Sequence, residues 1–308
     1  MVETKQHAKP QWNVQPSDFS KLCTNPIRKI VDNIKKPATS TKTLIRLSLA
    51  GEQVEVDFEH MQSLIDGNTK AILVNNPSNP CGSVFSKPHL EKILELAELN
   101  KIPIIADEIY GDMVFGCNVF FPMATLTKTV SVVTVGGLAK QFLIPGWRVG
   151  WVIVNDRNNI LEDFIVALLT AELTSVDCQS AIPDLLTPVP GSAEAQSLTD
   201  FKKRYFATLE DNANFTVDAI SEIPGLEVVV PQGAMYAMVK LHVDILAEIK
   251  DDLDFTQKLL DEEAVFVLPG QCFGMHNYFR IVLSAPHEVL VDAFARLADF
   301  CRRHQYTE

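Results

Sequence analysis

The chain has no apolar run that approaches the length of a bilayer span, no C-x-x-C pair, and no cysteine–histidine cluster with the spacing of metal ligands. The first absence argues against a membrane-embedded protein. The others argue against a redox dithiol or a structural zinc site. Six cysteines (Cys23, Cys81, Cys117, Cys178, Cys272, Cys301) are widely scattered and read as reduced thiols. Positive charge is also in deficit, with 27 Lys and Arg against 39 Asp and Glu and a net charge of −12. That balance argues against nucleic acid or an anionic membrane as the main partner, while leaving room for small anionic substrates in a local cationic pocket. Met1 to Trp12 is polar and lacks the apolar core of a signal peptide, so the expected location is cytoplasmic. Without such a signal, Asn214-Phe215-Thr216 carries no weight as a glycosylation acceptor. No internal repeat is found.

What is there is a chain of 308 residues, 47% hydrophobic, enough for about two domains. Asn25-Pro26 can cap and start a helix whose apolar face is Ile27, Ile30, Val31 and Ile34. Leu44 to Leu49 reads as a strand, interrupted by Ala50-Gly51-Glu52-Gln53. From Val54 strands and helices alternate. Strands are expected at Ala71 to Val74, Ile102 to Ala106, Val130 to Val135 and Val149 to Val154. A helix is expected over Ser86 to Asn100, with Leu90, Ile93, Leu94 and Ala97 on one face. Unbroken β-branched runs predict strands buried on both faces, and helical connections favour parallel pairing. After Pro190-Gly191 the pattern is mixed. A long polar helix spans roughly Asp200 to Ile220, and a hairpin turns near Pro231-Gln232-Gly233. A helix follows at Phe255 to Glu262, then strands at Val265 to Leu268 and Phe279 to Leu283. A last helix runs from His287 to Arg303, with Leu290, Phe294, Leu297 and Cys301 inward. The expected architecture is α/β, a mostly parallel sheet in a large domain plus a smaller α+β domain. The divisions fall at 1–50 (an arm and part of the small domain), 51–192 and 193–308.

Residues 75 to 85, NNPSNPCGSVF, place two Asn-Pro pairs directly after the first of these strands. Asn and Pro are ordinary turn-formers. The same turn can also hold an amide at the carboxyl end of a parallel strand, where open α/β sheets bind ligands. Similar features recur. Asn79 follows the first strand, Asp107 and Tyr110 the second, and Lys140 the third, with Arg148 eight residues beyond. Singly, each has an ordinary explanation as a cap, a surface cation or an ion-pair partner. Together they match pyridoxal 5′-phosphate, which needs a lysine for its Schiff base, a carboxylate at its pyridinium nitrogen, donors to its ring oxygen and cations at its phosphate.

The stretches NNPSNPCGSVFSK, ADEIYGDMVF, GGLAKQFLIPGWRVGW, PGLEVVVPQGAMYAMV and FRIVLSAP resemble the fold-type I, class I pyridoxal-phosphate aminotransferases, most closely the tyrosine-specific animal branch. NPIRKIVDNIKK resembles the N-terminal arm of that branch. The resemblance implies a cytoplasmic homodimer that moves the amino group of an aromatic amino acid to 2-oxoglutarate. It implies that Lys140 forms the Schiff base and shuttles the proton, and that Asp107 holds the pyridine nitrogen protonated. Asn79 and Tyr110 would bond the ring oxygen, Arg148 the phosphate, and Arg280 the substrate α-carboxylate through a bidentate fork. Tyr236 stays open between a residue flanking the substrate and an ordinary core aromatic.

Two departures from the family pattern are present. Many relatives carry Ser where this chain has Gly137, but the tyrosine-specific branch is similar here and the difference carries little weight. A larger one lies between Leu49 and Val54, where on the order of a hundred residues of the family pattern, a small domain's worth, are absent. A phosphate-binding helix start and a ring-stacking aromatic go with them. A skipped exon or a faulty gene model accounts for this first, a natural short isoform second. Exposed apolar strand surface and little or no transaminase activity are the expected consequences. A non-catalytic shortened paralogue, an alanine aminotransferase and a cysteine-conjugate β-lyase are the competing readings.

Overall fold

The computed structural model describes residues 45–47, 55–170 and 179–306. The helix expected after Asn25-Pro26 and the junction from Leu49 to Val54 lie outside these residues. The chain begins with β1 (Ile45–Leu47), α1 (Phe58–Leu64), β2 (Ile72–Asn75), α2 (Lys87–Asn100) and β3 (Ile104–Asp107). β4 (Val132–Gly137) runs into the one-turn helix α3 (Leu138–Gln141), and β5 is Gly150–Asn155. Next come α4 (Glu162–Thr170), α5 (Ile182–Leu186) and α6 (Ala193–Ser221). The last part is β6 (Leu226–Val229), β7 (Tyr236–Leu241), α7 (Asp252–Glu263), β8 (Val265–Pro269), β9 (Tyr278–Val282) and α8 (His287–Arg303). The architecture is α/β. Among the described residues no helix is long and apolar enough to cross a membrane.

β2, β3, β4 and β5 form one sheet in that order. α2 covers one of its faces. The Ser86 hydroxyl caps the helix by accepting the His89 N–H at 3.4 Å, and Pro88 suits its first turn. Leu90, Ile93, Leu94 and Ala97 are all buried, against Ile72, Val74, Ile104, Ala106 and Val132. Each large side chain so buried contributes about 1.5–3 kcal/mol. The helix stops at Lys101, which is in the left-handed region.

Two expectations fail in this sheet. β2–β3 and β3–β4 pair in parallel, but β5 runs antiparallel to β4. The connection between them is one helical turn and a 3-10 turn at Pro145–Trp147, too short for a parallel crossover. β4 is buried on both faces at Val132, Val133 and Thr134, but the edge strands β2 and β5 are not. Leu73 is 69% exposed, Val152 44% and Ile153 57%. An unbroken apolar run favours a strand, but what covers each face is decided by other segments.

The second sheet has the order β1-β8-β9-β7-β6. β1 pairs with β8 in parallel, and the other pairs are antiparallel. Phe255 stacks on Phe279 with centroids 5.2 Å apart and meets Phe300 edge-on at 5.4 Å. α8 buries Leu290, Phe294, Leu297 and Cys301 as its periodicity predicts. α6 is longer than expected at 29 residues, starting at the Ser192 cap, because polar residues on its outer face hide its first turns from a pattern search.

The two sheets belong to one compact unit and are stitched together next to the Asn-Pro turn. Gln232 accepts the Val84 N–H through Oε1 at 3.0 Å, donates its own N–H to Gly82 at 2.7 Å, and accepts the Phe115 N–H at 2.8 Å. Gly82 has φ +67°, and a Cβ there would lie 2.8 Å from both Pro231 Cβ and the Tyr236 carbonyl oxygen. Only glycine meets both demands.

Candidate functional site

β2, β3 and β4 end level, because Asn75 is in register with Asp107 and Asp107 with Val135. Their loops therefore open on one edge, the carboxyl edge at which α/β sheets bind ligands. The Asn-Pro turn is held by its own asparagines. Asn75 donates its amide to the Asp107 carbonyl at 3.3 Å and accepts the Asn79 N–H. Asn76 Oδ1 accepts the Phe85 N–H at 2.8 Å. The turn so fixed presents the Asn79 side chain, whose Oδ1 accepts Arg280 Nη1–H at 2.9 Å.

Arg280 comes from β9 in the other sheet and is fully buried. Its guanidinium lies 4.3 Å from the centroid of the Tyr236 ring and 5.4 Å from that of Phe273. Burial lowers its pKa, with Tyr236, Tyr110 and Cys272 pulling the other way. A cation so placed suits a carboxylate ligand. Lys140, in the last turn of α3, donates from Nζ to the Tyr236 hydroxyl at 3.3 Å, and that hydroxyl is 2.9 Å from the Tyr110 hydroxyl. Burial raises the Tyr110 pKa strongly and the Tyr236 neighbour adds to it, so this phenol stays protonated.

Asp107 sits at the end of β3 and is half-buried. Burial raises its carboxyl pKa; the Ile109 N–H at 3.3 Å, the Asn75 amide and the Lys140 charge pull it back. Gly137 leads into α3, and a Cβ there would lie 2.9 Å from the Val149 carbonyl oxygen. Asp252, fully buried at the start of α7, accepts N–H groups from the Gln271 backbone, the Gln271 amide and the Asn277 backbone, each at 2.9 Å. It thereby closes the loop that carries Cys272 and Phe273 beside Arg280.

The structure thus brings Asn79, Tyr110, Lys140 and Arg280 together through Tyr236, with Asp107 near enough to feel the Lys140 charge. Arg148 is not drawn into that network. Its side chain is exposed, and Nη1 donates to the Pro145 carbonyl at 3.1 Å, with its backbone in the left-handed region. The group fits the ring end of a pyridoxal-type cofactor, offering an amine, a partly buried carboxylate and two donors to a ring oxygen. The phosphate end is less well served, since Arg148 meets it only from solvent. Among the described residues no cluster of His, Cys, Asp and Glu could hold a metal ion. Sequence reasoning left Tyr236 open and missed Asn75, Phe273 and Asp252. Alternation on β7 and β9 was the available signal for Tyr236, because Met238 pairs with Arg280 and Tyr236 shares their face.

The family described as aminotransferase class I and II matches residues 38–297. A tyrosine aminotransferase of Dictyostelium discoideum is 44% identical over 81% of this chain and 60% of its own length. One from Mus musculus is 42% identical over 82% and 55%. Among solved structures, tyrosine aminotransferase from Leishmania infantum superposes with a TM-score of 0.75 at 37% identity, covering 81% of this chain and 60% of that one. An alanine aminotransferase from Pyrococcus furiosus gives 0.73 at 26%, covering 90% and 74%. The chain therefore spans 55% to 60% of the length of these curated relatives.

Proposed function

The chain belongs to the class I and II aminotransferases, and from that premise we propose that it is a pyridoxal-phosphate transaminase moving the amino group of an aromatic amino acid, tyrosine first, to 2-oxoglutarate. The observation that carries this reading is the convergence of Lys140, Tyr110 and Arg280 on one side chain, Tyr236, with Asn79 hydrogen-bonded to Arg280, beside the carboxyl edge of the sheet. The names of the relatives in amoeba, mouse and Leishmania support the aromatic substrate.

When bound, the cofactor supplies an electron sink that allows the Cα–H bond of an amino acid to ionise. The residues of this chain do the rest. Lys140 would supply the amine that holds the cofactor and, when freed, the base that moves the proton at the substrate Cα. Asp107 would hold a proton on the ring nitrogen, and a cationic partner there would oppose the burial that raises its pKa. Tyr110 and Asn79 orient the ring oxygen. Arg280 binds the substrate α-carboxylate as a planar fork. Arg148 would hold the phosphate from its exposed loop, where screening would keep its contribution small. The reading carries with it a cytoplasmic homodimer and a division into a cofactor domain, 51–192, and a small domain, 193–308, to which 1–50 contributes.

The test is covalent. Incubation with pyridoxal phosphate, borohydride reduction and peptide mapping are expected to place a pyridoxyl group on Lys140. A label on another lysine, or none at all, overturns the proposal.

A further inference from the structure

Both cations of the site meet one side chain. Tyr236 accepts the Lys140 Nζ hydrogen bond at 3.3 Å, shares a 2.9 Å hydrogen bond with Tyr110, and presents its ring face to the Arg280 guanidinium at 4.3 Å. We propose that Tyr236 is a positioning residue for the transaminase site, its hydroxyl aiming the Lys140 amine and its ring fixing the plane of the Arg280 guanidinium. This deepens the function proposed above and rests on it for the identity of the substrate groups.

The geometry gives each half of the side chain a separate task. Tyr236 is 1% exposed and lies on β7, diagonal to Arg280 on β9, so its χ angles are set by the sheet on which the guanidinium also stands. The Tyr236 oxygen accepts from Lys140 and shares its other hydrogen bond with the Tyr110 hydroxyl, in which either phenol can donate. The amine is thus tied to a buried pair of phenols. Tyr110 in turn follows β3, and Lys140 follows β4, while Tyr236 and Arg280 belong to the other sheet. The Tyr236 hydroxyl is therefore a joint between the sheet that supplies the amine and the sheet that supplies the carboxylate fork. An aromatic that merely fills the core needs no hydroxyl, whereas this one bonds two polar groups through its oxygen and meets a guanidinium with its face.

Tyr236→Phe removes the joint and keeps the ring; Tyr236→Met removes both at similar volume. Two chemical probes on the full chain read the two tasks without turnover. Reductive methylation with labelled formaldehyde reports the Lys140 amine, and phenylglyoxal reports the Arg280 guanidinium, both located by peptide mapping. Loss of one hydrogen bond of ordinary strength should raise Lys140 labelling about fivefold in Tyr236→Phe. Arg280 modification should stay within about twofold of wild type in that variant, because the cation–π face survives. In Tyr236→Met both rates should rise about fivefold. Unchanged Lys140 labelling in Tyr236→Phe overturns the proposal, as does unchanged Arg280 modification in a folded Tyr236→Met. If the Met variant does not melt cooperatively, the Phe variant alone decides. A wild-type chain that takes no pyridoxyl group on Lys140 would sink the transaminase reading yet leave both contrasts readable. Normal pyridoxyl labelling without either contrast would sink only the role of Tyr236.

Discussion

At Asp107 function and stability pull in opposite directions. Burial raises its carboxyl above the ordinary value of 3.8, so the folded chain holds that proton more tightly than the unfolded one. The stability this contributes is present below the unfolded pKa and lost as pH rises through the folded one. Asp107→Asn cannot ionise and should raise the melting temperature at pH 7 while changing it little near about pH 3.5. A lower melting temperature at pH 7 would contradict the sign. In a chain that turns over, the same substitution should slow it by at least about tenfold, because the ring nitrogen loses its anion. Arg280→Lys should raise KM for amino donor and oxo-acid alike by about tenfold, a point charge being unable to form the fork. Unchanged KM for both would remove Arg280 from the site. Arg148→Ala should weaken pyridoxal phosphate labelling of Lys140 by no more than about fivefold, the limit for an exposed, screened cation.

Among the elements, the loop after β8 depends on a single carboxylate. Asp252 accepts three N–H donors from residues 271 and 277 while fully buried. Asp252→Ala leaves those donors without their acceptor, at a cost of about 1–3 kcal/mol each before relaxation. A denaturant melt should therefore show a loss of at least about 2 kcal/mol. A loss under about 0.5 kcal/mol would mean the loop finds other acceptors. The seam between the sheets depends in the same way on Gly82. Its positive φ and the 2.8 Å approach of a Cβ to Pro231 leave no room for alanine.

For the molecule as a whole, exposed apolar surface is the main liability. Leu73 on edge strand β2 and Val152 and Ile153 on edge strand β5 stand well out of the core. Such edges template pairing with other chains. Leu73→Gln with Val152→Thr should increase the soluble fraction after expression while moving stability by no more than about 0.5 kcal/mol. A large loss of stability would show that these side chains are covered in solution. The chain spans 60% and 55% of the length of the Dictyostelium discoideum and Mus musculus relatives.

Much of this was legible without coordinates. Periodicity placed α2, α7 and α8 within a few residues, because helix faces are written into local spacing. Lys140, Asp107 and Asn79 could be singled out because each directly follows a strand, and strand ends are local features. Three things were not local. β5 reversed direction because the α3–β5 connection is short and turns back, which the β-branched run of β5 does not record. Arg148 lies eight residues from Lys140 in sequence, yet its backbone conformation and its Pro145 contact turn it to solvent. Tyr236 became central only when β7 and β9 paired, bringing residue 236 against residue 280 and, across the seam, against 110 and 140. The chain's own order determined which chemical groups are available and which strands and helices carry them. The packing of one sheet against the other decided which of those groups meet, because hydrogen bonds and ring contacts act over a few ångströms and take no account of separation along the chain.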